Sequence, residues 1–328
     1  MTQQQPDIPV VSGMPDSISG AHRFAHNAMA TAFEIFIIHS DGRYARQAAN
    51  AAFGELDRLE AELSRFVENS DVSRINTLAA GQPLAVSLET FECLQLCARM
   101  YAETNGAFDV TIGCLSACWL GEDKKSMRNP TEEQLNNALR HTGMKLVKLD
   151  EDRHTVELLI DSVQIDLGGI GKGYALDRMA NLLSDWDIDT ALISGGSSTV
   201  LALKGPDDIK GWPVTLGNPL NRKETLGRFY LQSRALSGSG LRKGEHIIDP
   251  RSGRPVKEKA GAWACTREAA KSDALSTTFM VMKPKEVEQY CSKHPDVLGM
   301  IVIEGEDKDS QGGKIMRFGR WEEDQLLQ

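Results

Sequence analysis

No stretch of this chain is apolar for long enough to span a bilayer, and its first residues contain no apolar core of the kind a secretory leader needs. No cysteine stands near the N-terminus to carry a lipid, and residues 1–19 are polar, with Pro6, Pro9 and Pro15 among them. We therefore expect a flexible N-terminal arm over residues 1–22 on a cytoplasmic protein without a membrane span. Positive charge is also short. Lys and Arg number 37 against 46 Asp and Glu, a formal net charge of −9. No long basic run offsets that balance, and the small cluster at residues 123–128 reads as a solvated loop. The balance argues against a nucleic-acid or membrane-surface partner. Cysteine is scarce, at six residues. Cys93 and Cys97 are four apart, as are Cys114 and Cys118, with no accompanying histidine and without the two-residue gap of a zinc knuckle. Buried free thiols in a reducing compartment are the expectation. There is no internal repeat of fixed period and no low-complexity linker.

What is present can bury a large core: 328 residues with 41% hydrophobic content, enough for one large domain or two smaller ones. Apolar periodicity predicts a strand over 30–39 and a helix over 45–66 with Phe53, Leu56, Leu59 and Leu63 on one face. Ser87 is placed to cap a helix that runs to about Thr104 and stops at Asn105-Gly106. Thr131-Glu-Glu-Gln134 forms a capping box for a shorter helix. Short strands are expected over 146–149, 155–160, 163–167, 190–194, 199–203, 212–216, 229–231 and 298–303, and helices over 174–186, 270–282 and 284–293. The run of short strands points to a largely antiparallel sheet, with one interwoven unit of two lobes.

Three stretches carry candidate chemistry. The first is Asp166-Leu-Gly-Gly-Ile-Gly-Lys-Gly-Tyr174, four glycines and Lys172 between an expected strand and an expected helix. Such a turn exposes backbone N–H groups and the positive end of a helix, a ready site for phosphate. It matches neither the P-loop, which needs Ser or Thr where Gly173 stands, nor the dinucleotide fingerprint, which needs Gly where Tyr174 stands. A tight structural turn is the competing reading. The second is Lys271-Ser-Asp-Ala-Leu-Ser-Thr277. Asp273 and Thr277 share a helix face and Ser276 lies beside it, three hard oxygen donors suited to Mg²⁺. Plain helix capping by Asp273 competes with that reading. The third is Gly244-Glu-His-Ile-Ile-Asp-Pro-Arg-Ser-Gly253. His246 has the chemistry of a general base for a hydroxyl, and equally that of a structural hydrogen-bonder. Just upstream, Ser237-Gly-Ser-Gly240 reads as another backbone-rich turn able to face an anion, or equally as plain loop.

Taken in order, these stretches and four others resemble the flavin transferase family (FAD:protein FMN transferases, the ApbE family). The others are Met29-Ala-Thr31 with Phe33-Glu-Ile35, Ser73-Arg-Ile-Asn76, Gly106-Ala-Phe-Asp-Val-Thr111 and Ser194-Gly-Gly196. The resemblance covers roughly residues 26–304, and its specificity lies in the order of the motifs.

The resemblance implies an α+β fold related to the T-fold, with two intertwined lobes, largely antiparallel sheets and a flavin cleft between them. It implies a transferase domain over 23–306 and a charged tail over 307–328. The implied activity is Mg²⁺-dependent transfer of FMN from FAD onto a Thr or Ser of an acceptor protein, a redox-complex subunit, with release of AMP. Mn²⁺ is the alternative metal, and FAD hydrolysis to FMN and AMP or non-catalytic FAD holding are the alternative activities. By matching position, Asp273, Ser276, Thr277 and the Gly169 carbonyl take the metal. Met29, Phe66, Ala107, Phe108, Asp109, Asp166, Lys172 and Ile248 take the FAD, and His246 is the base. Two positions depart from the family pattern. Gly169 stands where relatives often carry Ala or Thr, a change a backbone ligand tolerates. Phe66 stands where relatives carry Tyr or Asn; it can stack on a flavin ring but can neither ligate a metal nor hydrogen-bond.

Overall fold

The structure is a computed structural model that describes residues 11–13, 18, 20–119, 128–221, 223–241, 247–304, 313–321 and 326–327. In chain order its elements are β1 (Val11–Gly13), β2 (Ala21–Ala28), β3 (Thr31–Ile38), α1 (Gly42–Leu63), α2 (Asp71–Ile75), β4 (Leu84–Ala85), α3 (Leu88–Glu103), α4 (Gly113–Trp119) and α5 (Glu132–Arg140). Then come β5 (Val147–Asp150), β6 (Thr155–Leu158), α6 (Gly171–Asp185), β7 (Ala191–Gly195), β8 (Thr199–Ala202), β9 (Trp212–Gly217), β10 (Thr225–Leu231) and β11 (Arg234–Gly240). The chain closes with β12 (Ile248–Asp249), β13 (Arg254–Pro255), β14 (Lys259–Thr266), α7 (Ala269–Val281), α8 (Pro284–Lys293), β15 (Leu298–Ile303), β16 (Lys314–Phe318) and β17 (Leu326–Leu327). All named strand pairs are antiparallel. The expected α+β class with largely antiparallel sheets is therefore what forms.

The chain divides into two compact units: residues 1–56, 172–242 and 258–328 make one, and residues 57–171 and 243–257 the other. The first holds an eight-stranded sheet in the order β16-β15-β14-β11-β8-β7-β3-β2 and a four-stranded sheet β1-β9-β10-β17. One apolar cluster in it gathers Phe36, Leu192, Val200, Trp212, Val214, Phe229, Leu236, Trp263 and Met300, all at most 4% exposed. Strands β7, β8 and β14 are buried along their whole length, as a sheet covered on both faces requires. The second unit holds α2 to α5, a three-stranded sheet β4-β6-β5 and the small hairpin β12-β13.

The capping signals behave as their chemistry predicts. The Thr90 N–H donates to Ser87 Oγ at 3.2 Å, and Thr131 and Gln134 close a capping box at 3.2 and 2.9 Å. All six cysteines are free; five are buried and Cys114 is half-buried. Among the described residues no helix is long and apolar enough to cross a membrane.

Several elements differ from expectation. Residues 163–167 form no strand. The Asn76 side chain takes the place of a neighbouring strand, donating to Ile165 O at 3.0 Å and accepting from its N–H at 2.6 Å. Ser237-Gly-Ser-Gly240 is not a turn but the end of β11, paired with β14 along its length and with β8 at Ser237. Small residues fit there because α7 packs over β11. β2 and β14 were not expected. β14 shows no polar alternation because both its faces are buried, so a period-2 test misses it. The sheets also reach beyond residues 23–306 at both ends: β1 pairs with β9 and β16 with β15.

Candidate active site

In the first unit the site is built where α6 meets α7. The N–H of Gly173, in the first turn of α6, donates to Asp273 Oδ2 at 3.1 Å. A Cβ at Gly173 would run into the Ala269 carbonyl, so only glycine lets the two helices approach this closely. Thr199 Oγ1, on β8, donates to the other carboxylate oxygen, Asp273 Oδ1, at 3.2 Å. Lys172 Nζ stands 3.8 Å from Oδ2. That is longer than the roughly 2.8 Å of a charge-assisted hydrogen bond, so the ammonium neutralises the carboxylate without closing over it. Asp273 itself is 3% exposed.

One helical turn on, Ser276 donates from Oγ to the Asp273 carbonyl at 2.8 Å. Ser239 Oγ on β11 lies 2.8 Å from Ser276 Oγ and 3.1 Å from Thr277 Oγ1. Ser237, opposite Thr199 in the β8–β11 register, projects to the same face as Thr199. Its hydroxyl is fully buried and has no hydrogen-bond partner among the described residues. An unpaired buried hydroxyl costs about 1–3 kcal/mol, which favours a polar guest beside it. One carboxylate and a group of hydroxyls, with a buried oxygen still unpaired, form a hard-donor set that fits Mg²⁺. Among the described residues no three His, Cys, Asp or Glu side chains cluster into an alternative metal site.

The second unit carries the other predicted residues. After α3, Asn105 (φ 51°) and Gly106 (φ 75°) turn the chain in the left-handed region, and Thr104 Oγ1 accepts the Phe108 N–H at 3.1 Å. Ala107, Phe108 and Asp109 follow and are buried. Asp109 accepts from Thr111 Oγ1 at 2.6 Å and from its N–H at 2.8 Å. Burial pushes the Asp109 carboxyl up to about 6, against these hydrogen bonds. The Asp166 N–H donates to Val110 O at 2.7 Å, which sets Asp166 beside this turn. Asp166 Oδ1 accepts from the Gly168 N–H at 2.9 Å and Oδ2 faces Arg65 Nε at 3.2 Å. The Arg65 guanidinium lies 4.6 Å over the Phe66 ring, and Phe66 is 80% exposed. Gly169, half-buried, lies in the turn that leads into α6.

Ile248 is buried against Leu115, Cys118, Leu135 and Ala138. Met29 and Ala30 form the two-residue link between β2 and β3, with φ of 49° and 57°. His246 lies outside the described residues. The structure thus brings Lys172, Asp273, Ser276 and Thr277 together in one unit, and Asp166 beside the 107–109 turn and Arg65–Phe66 in the other. Sequence reasoning missed Thr199, and singled out Ser237 and Ser239 as part of a backbone turn and not as strand hydroxyls facing α7. A separate cavity in the first unit, lined by Phe229, Arg234, Cys265, Leu298 and Trp321, contains none of the predicted residues.

In this mixed α+β fold, the start of a helix sets a glycine–lysine turn against a buried carboxylate. The ApbE family model matches residues 29–302, and the chain belongs to that family. It is 27% identical over 293 residues to a FAD:protein FMN transferase of Klebsiella pneumoniae (strain 342), covering 85% of this chain and 83% of that protein. To the FAD:protein FMN transferase of Escherichia coli (strain K12) it is 26% identical over 267 residues, 77% and 76% of the two chains. Among solved structures, the ApbE protein of Thermotoga maritima superposes with a TM-score of 0.80 at 28% identity, over 91% of this chain and 97% of that one. The flavin transferase ApbE of Vibrio cholerae superposes with a TM-score of 0.79 at 22% identity, again over 91% and 97%.

Proposed function

We propose that this protein transfers FMN from FAD onto a Thr or Ser hydroxyl of an acceptor protein and releases AMP, with Mg²⁺, or Mn²⁺ in its place, held by Asp273, Thr277, Ser276 and the Gly169 carbonyl. Family membership and the name its relatives share support the transferase part. The observation that carries the rest is the meeting of Lys172, Gly173 and Asp273 at the start of α6. In this reading Lys172 draws the diphosphate in. The exposed Phe66 ring offers a stacking face for the isoalloxazine. Met29, Ala107, Phe108, Asp109, Asp166 and Ile248 complete the FAD contacts. The acceptor oxygen bonds to the FMN phosphorus as the bond to the AMP phosphate breaks, and the hydroxyl proton leaves to a ring nitrogen of His246. A bound Mg²⁺ supplies stabilisation of the charge on the phosphoryl oxygens.

We place this function within residues 23–306, which include every motif named above, between the N-terminal arm (1–22) and the C-terminal tail (307–328). The acceptor is read as a subunit of a redox complex, and the free thiols suit a reducing cytoplasm. A second reading is hydrolysis of FAD at the same site, with water as the nucleophile. It rests on Phe66, which can neither ligate a metal nor hydrogen-bond. Purified protein incubated with FAD, Mg²⁺ and a candidate acceptor decides between them. A fluorescent flavin band on the denatured acceptor supports transfer, free FMN with AMP supports hydrolysis, and unchanged FAD overturns both.

A further inference from the structure

The first turns of α6 and α7 exchange carboxylates. Gly173 of α6 donates its N–H to Asp273, four residues into α7, at 3.1 Å. In return Ala269 and Ala270, the first residues of α7, donate their N–H groups to Asp177 at 2.7 and 2.8 Å. Asp177 lies four residues after Gly173 on α6, so each helix satisfies the other's free N-terminal donors. The residue before α7, Glu268, makes no side-chain cap of its own. Asp177 therefore holds the first two amides of α7, while Ser272 Oγ ties the same turn to the Ala264 carbonyl at 2.6 Å and Thr266 Oγ1 holds the Glu268 carbonyl at 2.6 Å; Asp273 stands one turn beyond the Asp177 hold.

The far end of α7 is held separately. The buried Lys259 ammonium donates to the carbonyls of Phe279 at 2.8 Å and Met280 at 3.0 Å, and also to that of Met282. A carboxylate at one end and an ammonium at the other match the helix dipole. The two differ in what they stand near. Lys259 meets the last turn of α7, away from Asp273; Asp177 meets the first.

We propose that Asp177 is a positioning residue for divalent-cation binding: by gripping the Ala269 and Ala270 amides it sets the azimuth and depth of α7 at which Asp273 presents its carboxylate. The proposal rests on the reading of Asp273 as a metal ligand. No metal contact is assigned to Asp177 itself.

The test measures Mg²⁺ affinity of the full-length protein by calorimetry, together with hydrogen–deuterium exchange over residues 269–275. The variants are Asp177→Asn, which can accept from only one of the two amides, and Lys259→Met. Asp177→Asn is expected to fold, to exchange faster in 269–275 and to bind Mg²⁺ about tenfold more weakly. Lys259→Met is expected to melt earlier and still bind Mg²⁺ within about twofold of the parent. Parent-like Mg²⁺ affinity in folded Asp177→Asn overturns the proposal, as does an equal loss in Lys259→Met. If Asp177→Asn does not fold, Asp177→Glu carries the test: at least about threefold weaker Mg²⁺ binding supports the positioning role, and unchanged binding overturns it. A parent protein that binds no Mg²⁺ brings down the metal reading of Asp273 first, an outcome only the parent titration gives.

Discussion

Met29 and Ala30 turn the β2–β3 hairpin with both backbones in the left-handed region, where a Cβ costs about 1–2 kcal/mol per residue. Strain of this kind persists where surrounding structure or a ligand demands the geometry, and Met29 is one of the residues we propose to contact FAD. Ala30→Gly removes one such cost, so we predict a gain of about 1 kcal/mol in unfolding free energy, read as a higher urea midpoint. At the same scale, Asp273, Ser276 and Thr277 were legible because helical spacing alone puts them on neighbouring positions. Thr199 and Ser237 were not. Thr199 is one hydroxyl in an apolar strand and Ser237 sits in a turn-like Ser-Gly-Ser-Gly run; the fold bonds Thr199 to Asp273, and the cross-strand register sets Ser237 beside Thr199.

Helix α7 is buried nearly all round, and its hydrophobic residues mark no single face. Its existence could be read from composition and length, but which side carries the chemistry could not. β11 shows the opposite failure. Its Ser-Gly-Ser-Gly run has the composition of a turn, yet small residues there let α7 lie close to the sheet. The α6–α7 contact makes a sharper claim. Gly173→Ala drives a methyl group into the Ala269 carbonyl. We predict a loss of about 1–3 kcal/mol by urea unfolding and a weaker Mg²⁺ titration from the same variant. A neutral substitution would mean that the helices have room to spare.

At the scale of the whole molecule, two carboxyls among the described residues are held far above their ordinary value of 3.8: Asp109 at about 6 and Asp177 at about 7, both chiefly by desolvation. The Ala270 and Ala269 amides oppose the shift at Asp177, while Glu268 and Asp273 add to it. Because the folded protein keeps these protons longer than the unfolded chain, stability falls as pH rises from about 4 and levels off above about 7. Metal-free protein unfolded in urea between pH 4.5 and 8 should show that decline, and Asp177→Asn should flatten its upper part. A decline of the same slope in the variant would remove Asp177 as its source.

The family was legible in the order of motifs, since seven short stretches in sequence are hard to meet by accident. The division of those stretches between two units was not, because no linker or change of composition marks the boundaries near residues 57, 172, 243 and 258.

The central claim is that Asp273 anchors a metal without which FMN does not move from FAD to an acceptor. The intact mass of an acceptor incubated with FAD, with Mg²⁺ or with chelator, tests it most directly. The parent protein should add the mass of one FMN less water in Mg²⁺ alone, and Asp273→Ala should cut the rate of addition roughly a hundredfold or more. Equal addition in chelator, or a full rate from Asp273→Ala, would contradict the account.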